Sequence, residues 1–160
     1  MSTVTVMPQH EFDAMCEKAK ITDENVEDMK CSAFISIIGT KDVLDSYLHE
    51  PNTEHWFKKN HPNVLNLEFD DVDKDTEFHG KKAYAITTQQ AMRLFKFIND
   101  NLDKDFYIHC RAGVSRSGAI GYFITQFYSD LYFTEQIIDY NLVNKDVLSK
   151  LKRLFLSETT

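Results

Sequence analysis

The spacing of apolar residues changes period several times along this chain, and each change marks an element. Residues 3–7, TVTVM, alternate with Val4 and Val6 on one side, which predicts a short edge strand. Phe12, Met15, Cys16 and Ala19 then follow helical spacing. The run CSAFISIIG, 31–39, is nearly all apolar and ends at a glycine, as a strand buried on both faces should. Thr40 is a candidate cap for a short helix carrying Val43, Leu44, Tyr47 and Leu48. Residues 50–62 are polar and hold two of the three prolines, so they read as loop, anchored by Trp56 and Phe57. Residues 64–69 form a second strand with Leu65, Leu67 and Phe69 on a shared face.

The chain then turns acidic through Asp70, Asp71, Asp73, Asp75 and Glu77, which predicts a solvated connection. Thr87 followed by Gln90 is a capping box for a helix with the stripe Ala91, Leu94, Phe95, Ile98 and Leu102. Residues 106–109 are a third buried strand, and a helix from about Arg116 carries Ile120, Phe123, Ile124 and Phe127. Two further helices are expected at 134–140 and 144–156. Strands and helices in alternation predict an α/β domain with a central, mostly parallel sheet and helices on both faces. Ligands of such sheets sit at the carboxyl ends of the strands. No composition break or linker divides residues 1–160, so one domain is expected.

Composition narrows the possible functions. A net charge of -7 argues against nonspecific binding to nucleic acid or anionic membrane as the main role. No apolar run approaches the roughly 20 residues of a membrane span, and MSTVTVMPQHEF lacks the features of a secretory signal. Cys16, Cys31 and Cys110 cannot pair without leaving one over, which fits a reducing, cytoplasmic setting. Cys16 and Cys31 are expected to be buried packing residues, with capture of an oxidised Cys110 as the alternative. His49, His55, His61 and His79 lie in polar connections and are expected at the surface. No zinc spacing, GxGxxG turn or Walker A loop is present, so neither metal nor cofactor is expected.

The chemistry begins where the third strand stops. In YIHCRAGVSRSG a strand delivers Cys110, Gly113 permits a tight turn, and a helix follows Arg116. A loop in that position can aim several backbone N–H groups inward and, with the positive end of the helix, hold a tetrahedral oxyanion. The same donors stabilise a thiolate at its base. Phosphate monoester hydrolysis follows as the expected chemistry. Cys110 attacks phosphorus, Arg116 presents its planar fork to the phosphoryl oxygens, and Ser117 hydrogen-bonds the sulfur as it leaves. His109 orders the loop and modulates the thiolate. An acid for the leaving group must come from the run after residue 69, whose first members, Asp70 or Asp71, emerge on the edge that carries the cysteine.

HCRAGVSRSG resembles the signature of the cysteine-dependent protein tyrosine phosphatase superfamily, and Ser115, Ser117 and the short chain resemble its dual-specificity branch. The resemblance, clearest over 31–155, implies a protein tyrosine phosphatase-like fold. It implies that Cys110 is the nucleophile, that Arg116 binds phosphate and that Ser117 aids breakdown of the intermediate. Arg111, Ala112, Gly113, Val114 and Ser115 then match the phosphate-binding loop and contribute mainly backbone amides. Ser115 either helps position phosphate or satisfies hydrogen bonds of the loop. Aligning VLNLEFDD with the family's acid-bearing strand and loop puts the general acid at Asp71 more naturally than at Asp70, ahead of Asp73 and Asp75. The resemblance also makes Asn144 a structural cap. The substrate it implies is a phosphorylated protein, through phosphotyrosine, phosphoserine and phosphothreonine, because 160 residues leave little room for a deep tyrosine-recognition segment. The loop lacks the paired lysines of the branch acting on inositol lipids. Hydrolysis of an RNA 5′-phosphate, sulfur transfer or arsenate reduction, and phosphopeptide binding without turnover are the alternatives.

Overall fold

Strand β1, Ser2–Pro8, runs directly into helix α1, Gln9–Lys18. The computed structural model describes residues 1–40, 54–78 and 80–158, so the helix expected after Thr40, His49 and His79 lie outside the described residues. Next come β2, Ser32–Ile38, and β3, Val64–Glu68. A small hairpin, β4 Thr76–Phe78 and β5 Lys81–Ala83, leads to α2, Thr88–Asp100. Then follow β6 Asp105–Cys110, α3 Arg116–Phe127, β7 Tyr132–Phe133 and α4 Lys145–Glu158. Among the described residues no helix is long and apolar enough to cross a membrane.

The chain is α/β. Five parallel strands form the central sheet in the order β3-β2-β6-β1-β7. Because side chains alternate along a strand, β6 sends Phe106, Ile108 and Cys110 into the larger core with α2, α3 and α4. On the opposite face, Tyr107 packs with Phe12 and Cys16 of α1, Phe34 of β2 and Phe57. Phe57 is fully buried, and Trp56 donates its indole N–H to the Ile21 carbonyl at 2.8 Å, so both anchor the connection as expected. Thr87 and Gln90 form the expected capping box, and Gln90 Nε2 also donates to the Glu68 carbonyl at 2.8 Å, tying α2 to the end of β3. At Gly121 of α3, a Cβ would lie 2.6 Å from Val6 Cγ2, so the glycine lets the helix lie close on β1.

Several expectations are corrected. β1 is an interior strand between β6 and β7, because the two-residue β7 covers its start. Residues 134–139 form no helix, and only a 3₁₀ turn, Tyr140–Leu142, follows. Gln136 instead exchanges hydrogen bonds with the main chain of Val6, accepting at 2.8 Å and donating at 2.7 Å, and so satisfies the edge of β1 past the point where β7 stops. The acidic connection contains the β4–β5 hairpin. His61 is buried, with its ring nitrogens 2.8 Å from Asp23 and 3.1 Å from Glu27, and Cys31 is exposed rather than packed.

Candidate active site

β1 and β6 end abreast, with Pro8 opposite Cys110. The residues after Cys110 therefore turn over the β1–α1 junction, and Gln9 N–H donates to the Arg111 carbonyl at 3.3 Å. Gly113 makes this turn possible. Its φ is +73°, and a Cβ there would lie 2.4 Å from Pro8 N and 2.5 Å from the Met7 carbonyl carbon. At this crowded left-handed position glycine is the residue that fits.

The Cys110 sulfur is buried and lies 3.0 Å from Ser117 Oγ at the start of α3. Burial by itself raises its pKa. The Arg116 charge, the Ser117 hydroxyl and the N–H groups of Ser117 and Gly113 oppose burial and leave the thiol below its ordinary value. These two amides bracket the loop from the middle and from the helix, so the segment 110–117 curls around the sulfur. Cys16 behaves in the opposite way. Burial, with Asp13 nearby, pushes that thiol up to about 12, which makes it a packing group.

Arg116 is buried and donates through Nη1 to the Phe69 carbonyl at 2.8 Å. Its Nε is buried and has no partner among the described residues, which leaves an N–H free for an anion. The bond to Phe69 also fastens the loop after Cys110 to the start of the acidic segment. There the two candidate acids part. Asp70 is buried and accepts from Thr40 N at 2.8 Å, Thr40 Oγ1 at 2.6 Å and Tyr84 N at 2.7 Å. Asp71 is exposed and accepts from Ser115 Oγ at 2.7 Å and Asn144 Nδ2 at 3.0 Å, at the rim of the loop. Asp75 accepts from Ala85 N at 3.0 Å, and Asp73 is exposed.

Asn144 does more than cap α4. Its Oδ1 accepts from Asp146 N and Val147 N, both at 3.0 Å, while its own N–H donates to the Ser115 carbonyl at 3.0 Å. It therefore joins helix, loop and Asp71, a role that nothing in its local sequence marks. Arg111 is half-buried, Ala112 and Val114 are exposed, and Arg111 and Ala112 border a cleft with His10, Asp13 and Glu17. His109 is fully buried against the Phe12 ring, at 4.4 Å between centroids. Its Nδ1 is 3.2 Å from the Cys110 carbonyl oxygen. Burial, together with His55 and Arg116, holds it down to about 4, so it is neutral at physiological pH.

Cys31 precedes β2 at the end where β6 begins, five residues of strand from Cys110. That is about 16 Å, too far for a disulfide between them. Among the described residues no group of three or more His, Cys, Asp or Glu is arranged to hold a metal ion. Comparison with protein-family models, with curated proteins and with solved structures finds no match to this chain.

Proposed function

We propose that this protein is a cysteine-dependent phosphatase of the dual-specificity kind, acting on phosphotyrosine and on phosphoserine and phosphothreonine in proteins. We read its fold as protein tyrosine phosphatase-like and its setting as the reducing cytoplasm. The carrying observation is the Cys110 sulfur, acidified within a strand–loop–helix turn and set against Ser117 and the Gly113 amide beside Arg116. The resemblance of HCRAGVSRSG to the superfamily signature points the same way.

In this reading the Cys110 thiolate attacks phosphorus, forming the S–P bond as the ester P–O bond breaks. The loop amides and Arg116, through its unpartnered Nε, bear the charge on the phosphoryl oxygens. Protonated Asp71 gives its proton to the departing oxygen. Water then attacks the phosphocysteine, Asp71 takes the water's proton, and the P–S bond breaks as phosphate forms. Ser117 Oγ, already 3.0 Å away, donates to the departing sulfur and lowers the barrier to this second step. Asp70 is left to its structural donors.

The test is hydrolysis of an aryl phosphate and of a phosphopeptide panel by reduced full-length protein in EDTA. Turnover that vanadate blocks and Cys110→Ser abolishes is expected. Absence of turnover by folded wild type overturns the proposal, and release of phosphate from RNA 5′ ends alone redirects it to the RNA alternative.

A further inference from the structure

The parallel register of β2 and β6 sets Ser36 directly opposite His109. Ser36 interrupts an otherwise apolar buried run and is itself fully buried, so its hydroxyl must be hydrogen-bonded to be tolerated. Its Oγ lies 2.6 Å from His109 Nε2 and 2.7 Å from His55 Nδ1. At the far side of the His109 ring, Nδ1 meets the Cys110 carbonyl.

The directions of these bonds follow from valence. A carbonyl only accepts, so His109 Nδ1 carries the proton, and in a neutral ring Nε2 is then the acceptor. Ser36 must donate its hydroxyl proton to Nε2, which leaves its lone pairs to accept Nδ1–H from His55. The result is a one-way chain from His55 through Ser36 and His109 to the carbonyl of the nucleophile. Because a trans peptide holds its C=O and N–H antiparallel, pinning the Cys110 carbonyl also sets the direction of the Arg111 N–H, the first amide of the loop.

We infer that Ser36 and His55 are positioning residues for the nucleophile: their hydroxyl and imidazole lock His109 in its Nδ1–H tautomer and thereby hold the peptide on which Cys110 and the phosphate loop turn. The consequence for turnover rests on the phosphatase reading, whereas the tautomer and the thiolate do not. The surroundings keep the chain neutral. His109 faces the Phe12 ring from α1, Ser36 from β2, the charge of Arg116 and the ring of His55. His55 is held down to about 4 by burial and then by Lys58, and it borders a cleft of about 520 Å³ that Asp13, Glu17, Asp23 and Glu54 also line. With both rings neutral above about pH 4, the direction of the chain persists at neutral pH.

The experiment uses full-length wild type, Ser36→Ala, His55→Asn and His55→Phe. Imidazole ¹⁵N shifts report the His109 tautomer, and the pH dependence of iodoacetamide alkylation, followed at Cys110 by peptide mapping, reports the thiolate. Wild type should show a single Nδ1–H tautomer. Ser36→Ala, which leaves only the Cys110 carbonyl to select the Nδ1–H form, should show an admixture of the other tautomer and raise the Cys110 midpoint by about one unit, slowing alkylation about tenfold below the midpoint. His55→Asn, whose amide can donate from a similar position, should stay within about twofold of wild type, while His55→Phe should move toward Ser36→Ala. Folded Ser36→Ala with the wild-type tautomer and alkylation profile overturns the inference. Should Ser36→Ala fail to fold, matching profiles for His55→Phe and His55→Asn overturn it. Since neither readout needs turnover, an inactive wild type with these signatures sinks the phosphatase reading alone.

Discussion

Just past β3 the chain bends at Asp71, where Val72 N–H donates to the Asp70 carbonyl at 2.9 Å, and the bend separates Asp70 from Asp71. Asp70 turns inward and satisfies two backbone N–H groups and a hydroxyl, so it braces the loop that carries its neighbour. Asp71 turns outward to Ser115 and Asn144 at the loop rim. Asp71→Asn is expected to cost about 10²-fold in kcat/KM on alkyl phosphates. It should cost less on activated aryl esters and remove the basic limb of the pH profile, which needs the protonated acid. Asp70→Asn should keep that limb and lose about 1–3 kcal/mol of stability instead, because one oxygen acceptor becomes a donor facing donors. Profiles and melting curves of both variants check this, and an intact basic limb in Asp71→Asn would contradict it. The pair was only half legible in the sequence. Its position after a strand was readable, but which carboxylate faced inward depended on Thr40 and Tyr84, 30 and 14 residues from Asp70.

At the scale of elements, the strand β6, its loop and α3 were readable because their signals are local: an apolar run, a glycine, then helical periodicity. What was missed depends on distant partners. β1 shows the same alternation at an edge or in the interior, and the two residues of β7 are too few for a pattern. Residues 134–140 carry helical spacing, yet Gln136 is spent on the main chain of Val6. The hairpin β4–β5 is mostly polar where its exposure is described, so its residues resemble a solvated loop. The Gly113 turn joins the local and distant signals, since its positive φ is a local demand and the backbone of Met7 and Pro8 closes over it from another strand. Gly113→Ala should therefore lower Tm and weaken vanadate binding by at least about tenfold, through left-handed strain of about 1–2 kcal/mol plus overlap with that backbone. Calorimetry and vanadate titration check it, and wild-type values for both would contradict the steric account.

Across the whole molecule, the sheet divides the labour of the site. Cys110 belongs to the larger core beneath α2, α3 and α4, while His109 and its partners Ser36 and His55 lie on the α1 side. Cys110 is thus held from both layers, and Ser36 and His55 fall outside the motif because they come from other parts of the chain. Net charge was a poor guide at this scale: -7 for the chain coexists with an arginine and two inward amides around the sulfur. In the proposed chemistry this sulfur carries the phosphoryl group between two steps. Rapid quenching of the protein with a radiolabelled phosphate ester, followed by peptide mapping, tests this. Label is expected bound to the Cys110 sulfur, increased in Ser117→Ala because breakdown of the intermediate slows, and absent in Cys110→Ser. Hydrolysis that proceeds with no label at Cys110, or that survives in Cys110→Ser, would contradict it.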